Sequence, residues 1–451
     1  MSLELERPRP GTGTASAIVP ATRVHDALST HILADGFPLV LDLRASHGRT
    51  LVDQRDGTAY LDMFGFFASN ALGMNHPALA RDPDFRAELA DVALNKPSNS
   101  DIYTVEMAAF VETFARVLGD SRLPHLFFID GGALAVENAL KVAFDWKSRH
   151  NEANGRLGRT RGAKVLHLTG AFHGRTGYTL SLTNTDPVKT ARFPAFDWPR
   201  IDTPYLRDGR PVEAAEALAL DQARRAFAEH PHDIACFIAE PIQGEGGDRH
   251  LRPEFLRAMQ GLCHDHDALF VLDEVQTGVG GTGTAWAYQQ LGLEPDVVAF
   301  GKKTQVCGIM AGGRVDEVPD NVFVVGSRLN STWGGNITDM VRARRILEVI
   351  ERDGLFERSR PLGAHLLTRL RALAAAHPSV TEPRGRGLMC AITLDTPELR
   401  DAAVTALRER EHVLILGTGH RGIRFRPPLT VTAEELDQAV DALDRVLTTL
   451  G

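Results

Sequence analysis

The chain has 451 residues, 43% of them hydrophobic and 24% charged, which is enough apolar material for a large core. At roughly 100–200 residues per domain, that length allows two or three structural units. The formal net charge is -8 with both signs mixed along the chain, and no basic block or polybasic patch points to nucleic acid or a membrane surface as a partner.

The N-terminal stretch, residues 1–22, is rich in Pro, Gly and Thr and lacks the apolar core of a signal peptide; it reads as a flexible arm. Residues 23–79 are expected to pack with a smaller C-terminal unit. From about residue 80 to 335, strand-like apolar runs alternate with helical stretches. "PHLFFID" (Pro124–Asp130) precedes "ALAVENALKVAFDWKSRH", in which Leu134, Val136, Leu140, Val142 and Phe144 give a wide apolar face at helical spacing. "KVLHLTG" (Lys164–Gly170), "DIACFIAEP" (Asp233–Pro241), "ALFVLDEV" (Ala268–Val275) and "DVVAFG" (Asp296–Gly301) follow. Near-continuous apolar strands between helices predict an α/β fold with a mostly parallel central sheet covered on both faces. Residues 336–451 read as a long amphipathic helix broken near Asp353–Gly354, strands in "LMCAITL" and "GIRFRPPL", and a last helix whose Thr432 and Glu435 have capping-box spacing. That is α+β character and predicts a second, smaller domain.

No run reaches the roughly 18 apolar residues of a membrane span. Cys236, Cys263, Cys307 and Cys390 are scattered with no CxxC pair, which argues against a disulfide framework or a zinc site and fits a reducing, cytoplasmic compartment. "CHDHD" (Cys263–Asp267) holds metal-ligand residue types, but it sits where polar residues ordinarily end a helix before a strand, so no metal is expected.

Ligands of open α/β sheets bind beyond the carboxyl ends of the strands, and several of these ends carry suggestive residues. In "IDGGALAVEN", Gly132 and Ala133 lie between a strand and a helix N-terminus, where free N–H groups favour a phosphate; a plain tight turn is the alternative. In "GAFHGRTGYT", Phe172, His173 and Arg175 would suit a flat, anionic ligand, or form a core ring beside a solvated cation. In "AEPIQGEGG", Glu240 and Glu245 flank a loop that could equally be plain surface. In "LFVLDEVQTG", Asp273 and Glu274 end a buried run, where a carboxylate needs a partner. The same pattern occurs in the magnesium-binding half of a P-loop ATPase, but that reading requires G-x-x-x-x-G-K-[ST]. The only Gly-Lys pair, Gly301-Lys302, lacks the following Ser or Thr and the earlier glycine.

"VVAFGKKTQVCGIM" then puts two lysines, Lys302 and Lys303, at the mouth of an apolar strand, where charge is costly to desolvate. An anion cradle, an aromatic ring, a buried carboxylate and a strand-end lysine together describe a site for pyridoxal phosphate. Its aldehyde needs an amine to form a Schiff base, and its ring nitrogen needs an acidic partner.

With these motifs the sequence resembles the class III (subgroup II) pyridoxal-phosphate aminotransferases. The resemblance rests on Asp273-Glu274-Val275-Gln276-Thr277-Gly278, then Asp296 and Gly301-Lys302, together with "LDMFGFFASNALGMNHP" and "FHGRTG". It covers nearly the whole chain beyond the N-terminal arm and implies fold type I, with a large cofactor-binding domain and a smaller α+β domain. By family spacing, the Schiff-base lysine is Lys302, six residues after Asp296, and Lys303 is a solvated or phosphate-proximal neighbour. Lys302 also becomes the general acid and base once the amino substrate displaces it. The resemblance further implies that Asp273 pairs with the pyridine nitrogen, Gln276 with the ring hydroxyl, and Phe172 with the ring face, while Gly132 and Ala133 bind the phosphate. Thr332, in "NSTWGGN", resembles the residue that reaches the phosphate from a partner subunit, which implies a homodimer with its site at the interface. Asn330 beside it is carried over as a substrate-binding residue.

Two departures stand out. The phosphate loop usually has Ser or Thr before the glycine and Glu-Ala-Asn after it, where this chain has "GGALAVEN". Arginine is common where Gly281 stands, and the run after the lysine is usually small and Gly-rich rather than "KTQVCG". The wording of "GGALAVENALK", "FGKKTQVCG" and "SRLNSTWGGN" resembles the branch of the family that takes the terminal amine of L-lysine and gives it to 2-oxoglutarate, with ornithine or 4-aminobutyrate as alternative donors. Such a site must accept lysine by its far amine and glutamate with its α-carboxylate close. Arg175 is suited to the distal carboxylate of either substrate. Arg424, in "IRFRPPL", resembles the arginine that holds glutamate's near carboxylate; Arg426 is the alternative. With lysine bound, Arg424 would be buried and unpaired, a costly state that Glu245 can neutralise before swinging away for glutamate.

Overall fold

The computed structural model describes residues 19–156, 162–207 and 211–450. Most of the predicted arm therefore lies outside the described residues; from Ala21 the chain is in a short turn, Ala21–Arg23, followed by the helix Val24–Ser29. Its centre is a seven-stranded sheet formed by β1 (His125–Ile129), β2 (Lys164–Leu168), β3 (Arg200–Ile201), β4 (Ile234–Ala239), β5 (Leu269–Asp273), β6 (Val297–Phe300) and β7 (Cys307–Ala311), in the spatial order β1-β7-β6-β5-β4-β2-β3. The strands from β6 to β3 run parallel, while β7 is antiparallel to both β6 and β1. The sheet is thus mostly parallel, as expected. β3 and β7 have no counterpart among the apolar runs read from the sequence: β3 is only two residues long, and the apolar run of β7 follows the two lysines directly.

The continuous apolar runs have a direct cause. Within β5, Phe270 and Leu272 enter one core cluster with Phe237, Val298 and Phe300. Leu269 and Val271 enter a second cluster with Cys236, Ile238, Val297 and Ala299. Side chains alternate across a strand, so a sheet buried on both faces needs apolar residues at both parities.

Downstream, the helices Ile337–Arg352 and Leu355–Ala376 flank the predicted break, where Gly354 has φ +59° and ends the first helix in a left-handed conformation. A four-stranded sheet follows: β8 (Val380–Arg386), β9 (Met389–Leu394), β10 (Leu416–Thr418) and β11 (Gly422–Phe425), in the order β8-β9-β11-β10. The helix Ala433–Leu450 starts with reciprocal bonds: Glu435 N–H donates to the Thr432 hydroxyl (3.2 Å), and Thr432 N–H donates to the Glu435 carboxylate (2.9 Å). The early strands Thr50–Val52 and Ala59–Asp62 form a separate sheet with Val413–Leu414, tying the N-terminal segment to the C-terminal part. All four cysteines are buried and free. Asp267 of "CHDHD" is engaged with Arg156 and His150 at the end of a helix. No helix among the described residues is long and apolar enough to cross a membrane.

Candidate active site

A cavity of about 290 Å³ opens at the carboxyl ends of β2, β4, β5 and β6. It is lined by residues from "GGALAV", "FHGRTG", "EPIQGE", "DEVQ" and the strand-end lysine. Strand register brings them together. Asp273 ends β5 level with Ala299 of β6, and the Glu274 N–H donates to the Ala299 carbonyl (2.9 Å). Lys302, three residues after Ala299, lines the same cavity as that carboxylate. Asp273 and Glu274 then diverge. Glu274 is buried away from the cavity, taking bonds from the Tyr288 N–H (2.8 Å) and the Thr277 hydroxyl, and burial pushes its carboxyl up to about 7.

Lys302 has a left-handed backbone, φ 56°, at the start of a short turn, Lys302–Thr304. Such a conformation costs a non-glycine residue about 1–3 kcal/mol and is characteristic of functional positions. Gly301 before it is pressed against Cys307, where a Cβ would come within 2.9 Å of the sulfur. Burial lowers the Lys302 pKa, helped by Arg424 and opposed by Asp273, Glu245 and Glu240. A depressed amine pKa increases the neutral, nucleophilic fraction.

Lys303 differs from its expected role. It is neither solvated nor at the cavity wall, but buried at 3% exposure. Burial first, then Arg426 and Lys302, push its pKa down to about 7.

Asp273 is held from two sides: His173 Nδ1 lies 2.8 Å from Oδ2, and the Val275 N–H donates to Oδ1 (3.0 Å). Beneath them, Glu240 accepts from the Phe172 N–H and the Gly244 N–H (both 3.0 Å), which fixes the loop that carries Phe172. Burial raises the Glu240 pKa to about 7. His173 and Glu240 thus brace the site. The sequence singles them out as strand-end residues but gives no sign of these tasks.

The helix Gly132–Ala153 starts at the cavity. Gly131 at its cap has φ 101° and offers no side-chain cap, so the first N–H groups of this 22-residue helix remain available to a ligand. Gly174 closes the cradle from the opposite wall; a Cβ there would come within 2.5 Å of that of Ala133. Gln276 accepts from Arg426 through Oε1 (3.1 Å), and its amide nitrogen has no partner among the described residues. Arg175 is exposed at the cavity wall and takes no carboxylate partner among the described residues.

Arg424 does not reach the cavity wall directly. It is 2% exposed, donates to Glu245 Oε1 (2.6 Å) and to the Gly244 carbonyl (3.1 Å), and Glu245 stands between it and the cavity. Burial raises the Glu245 pKa, but the charge and hydrogen bond of Arg424, with Lys189 and Lys302, outweigh it and leave the carboxyl below its ordinary value. Arg426, the alternative, is tied to Asp248 and Gln276. Asn330 and Thr332 are not part of this chain's cavity; they are exposed in the segment before Gly334.

The residues present fit pyridoxal phosphate: an uncapped helix N-terminus for its phosphate, a braced carboxylate for its ring nitrogen, a ring for its face and a strained, half-buried lysine for its aldehyde.

Comparison with known proteins agrees. The aminotransferase class-III family model matches residues 34–447. The L-lysine-epsilon aminotransferase of Mycobacterium tuberculosis is 66% identical over 429 residues, covering 94% of this chain and 95% of that protein. The protein of the same name from Amycolatopsis lactamdurans is 59% identical over 437 residues, 96% of this chain and 97% of that one. The solved lysine aminotransferase from M. tuberculosis in the internal aldimine form superposes with a TM-score of 0.94 at 64% identity, covering 96% of this chain and 100% of that chain. A 4-aminobutyrate aminotransferase from Schizosaccharomyces pombe is 30% identical over 97% of this chain and 94% of that protein. The chain belongs to the class-III aminotransferases, enzymes whose cofactor is pyridoxal 5'-phosphate.

Proposed function

We propose that the protein moves the terminal (ε) amino group of L-lysine to 2-oxoglutarate. The products are L-glutamate and 2-aminoadipate 6-semialdehyde, which cyclises to piperideine-6-carboxylate. The observation that carries a terminal-amine donor is the Arg424–Glu245 pair, with the arginine buried and its charge neutralised at the cavity wall. Lysine enters with its far amine toward Lys302 and presents no carboxylate near Arg424. A lone buried guanidinium there would be costly, and Glu245 removes that cost. Glutamate brings its own carboxylate, which takes Arg424 when Glu245 turns away. The likeness to lysine ε-aminotransferases at 59–66% identity, against 30% for the 4-aminobutyrate enzyme above, supports lysine over that donor.

When bound, the cofactor supplies an aldehyde that accepts the amino group and a ring that stores the electron pair released from the substrate carbon. Gly132 and Ala133 would hold its phosphate, Phe172 its ring face, Gln276 its hydroxyl and Asp273 its ring nitrogen. Lys302 Nζ would take the proton from the substrate carbon as a base and give it back as an acid, which its lowered pKa favours. Arg175 anchors the distal carboxylate of either substrate.

The proposal includes a homodimer. Asn330 and Thr332 lie in an exposed stretch that also carries Val324 (65% exposed) and Trp333 (45%), apolar surface of the kind interfaces cover. From there they would reach the partner's cavity. The free, buried cysteines fit a reducing cytoplasm.

A half-reaction tests the function. Purified protein given L-lysine and no keto acid should lose its visible cofactor absorbance and release the cyclised product. Bleaching by L-ornithine or 4-aminobutyrate but not by lysine would overturn the donor. Absence of a visible band would overturn the Lys302 site.

A further inference from the structure

Glu245 has a second neighbour. While Oε1 accepts from Arg424, Oε2 lies 3.9 Å from Lys189 Nζ. Lys189 ends a short turn, Pro187–Lys189, whose start is fixed by the Asp186 carboxylate accepting the Val188 N–H (2.9 Å). Its ammonium sits 3.4 Å from the Thr185 hydroxyl and 5.3 Å from the centre of the Phe172 ring. Glu245 also borders a second cavity, of about 390 Å³, which Lys302 does not line. Lys189 and Glu245 both line it, with Thr185 and His420 and with two further carboxylates, Asp186, which accepts the Val188 N–H, and Asp401, which is paired with Arg400, so an incoming carboxylate there needs a cation of its own.

We propose that Lys189 is the positioning residue that receives the Glu245 carboxylate when it leaves Arg424, with the second cavity as the space it moves into. This deepens the reading of Glu245 as a carboxylate that alternates between two states, and rests on it. The physical need is plain. A displaced Glu245 carries its charge out of one ion pair, and an uncompensated charge in a mostly buried place opposes the move. Lys189 Nζ is 3.9 Å from the far oxygen, so a rotation that closes this gap exchanges one cation for another. Arg400 also lines the second cavity, but its guanidinium is bonded to Asp401 (2.5 Å), which leaves Lys189 as the nearer receiver. Lysine as substrate never asks Glu245 to move. Lys189 therefore acts on the dicarboxylate half of the reaction alone.

The test uses holoenzyme and glutarate, a dicarboxylate with neither an amine nor a keto group, with affinity measured by calorimetry. Lys189→Met should weaken glutarate about tenfold, raise the KM for glutamate by a similar factor and leave the lysine half-reaction within about twofold. Lys189→Arg should restore glutarate binding. In a Glu245→Ala background no carboxylate needs receiving, so Lys189→Met should cost nothing further. An equal loss in both backgrounds would mean that Lys189 touches the dicarboxylate itself and would overturn the proposal. No loss in either background, or an equal loss in the lysine half-reaction, would do the same. Arg424→Met separates the two levels: if it leaves glutarate affinity unchanged, the underlying reading of Arg424 and Glu245 fails, whatever Lys189 does.

Discussion

The Lys303 ammonium stands where a side chain on Gly281 would begin: a Cβ built at Gly281 falls 3.2 Å from Nζ. In sequence these are two separate departures from the family pattern, a glycine where arginine is common and a lysine where a small residue is usual. The fold sets the two positions against each other. The Gly281 carbonyl accepts the Leu388 N–H (2.8 Å), so the backbone has little freedom to withdraw.

Gly281→Arg should therefore destabilise this protein, because it adds a second cation and bulk beside a buried first one. A loss of about 1–3 kcal/mol is the scale of overpacking. Most of it should be recovered in a Gly281→Arg, Lys303→Ala double variant. Thermal unfolding of the two single variants and the double gives the coupling, and strict additivity would mean that the two positions are independent.

Lys303 also has a pH signature. Its folded pKa is about 7 against 10.5 for the free side chain. Between those values the unfolded chain holds a proton that the folded one lacks, so stability rises with pH across that window. Below about 7 both states are charged and the burial penalty is complete. Lys303→Met should raise Tm by a few degrees at about pH 6, and the gain should shrink toward about pH 10. The visible cofactor band should persist, because Lys302 remains. A gain independent of pH would assign the effect to packing rather than charge.

Much of this arrangement is legible in the sequence for physical reasons. Strands buried on both faces announce themselves as unbroken apolar runs, and chemistry then falls at their ends, as at Asp273 and Lys302. The break at Gly354 and the box formed by Thr432 and Glu435 are local and need no tertiary knowledge. What the sequence hides is pairing at a distance. Nothing near Lys303 announces Gly281, and nothing near Lys189 announces Glu245, 56 positions on. β7 was missed because a short apolar run after a polar turn has no period that separates strand from loop. The braces at His173 and Glu240 are ordinary residues until the Asp273 carboxylate and the Phe172 N–H are placed beside them.

Arg175 should act on both substrates alike. It lines the cavity without a carboxylate partner among the described residues, and is placed to meet a carboxylate that lysine and glutamate each present at the far end. A hydrogen bond to a charged group contributes about 1.5–3 kcal/mol, so Arg175→Met should raise KM about 10- to 150-fold for each. Glu245→Ala should behave differently, raising KM for lysine and lowering it for glutamate, since it strands Arg424 in one half-reaction and frees it in the other. Steady-state kinetics with each substrate varied in turn separates the patterns. A rise for only one substrate in Arg175→Met would remove it from the shared anchor.

The placement of Asn330 and Thr332 away from their own chain's cavity gives the homodimer a test that needs no further structure. Lys302→Ala should abolish turnover, and Thr332→Ala should lower it by weakening the phosphate's hold. Mixed in equal amounts, unfolded and refolded together, the two chains form mixed dimers about half the time. If Thr332 serves the partner's site, each mixed dimer holds one site with an intact lysine and an intact threonine, and one with neither. About a quarter of all sites are then restored. If Thr332 serves its own chain, every site in a mixed dimer is broken once, and the mixture is no better than the average of its parts. Activity equal to about a quarter of the unaltered protein's plus a quarter of the Thr332→Ala variant's would place Thr332 across the interface; activity at the average of the two parents, about half of the Thr332→Ala variant's, would place it within its own subunit.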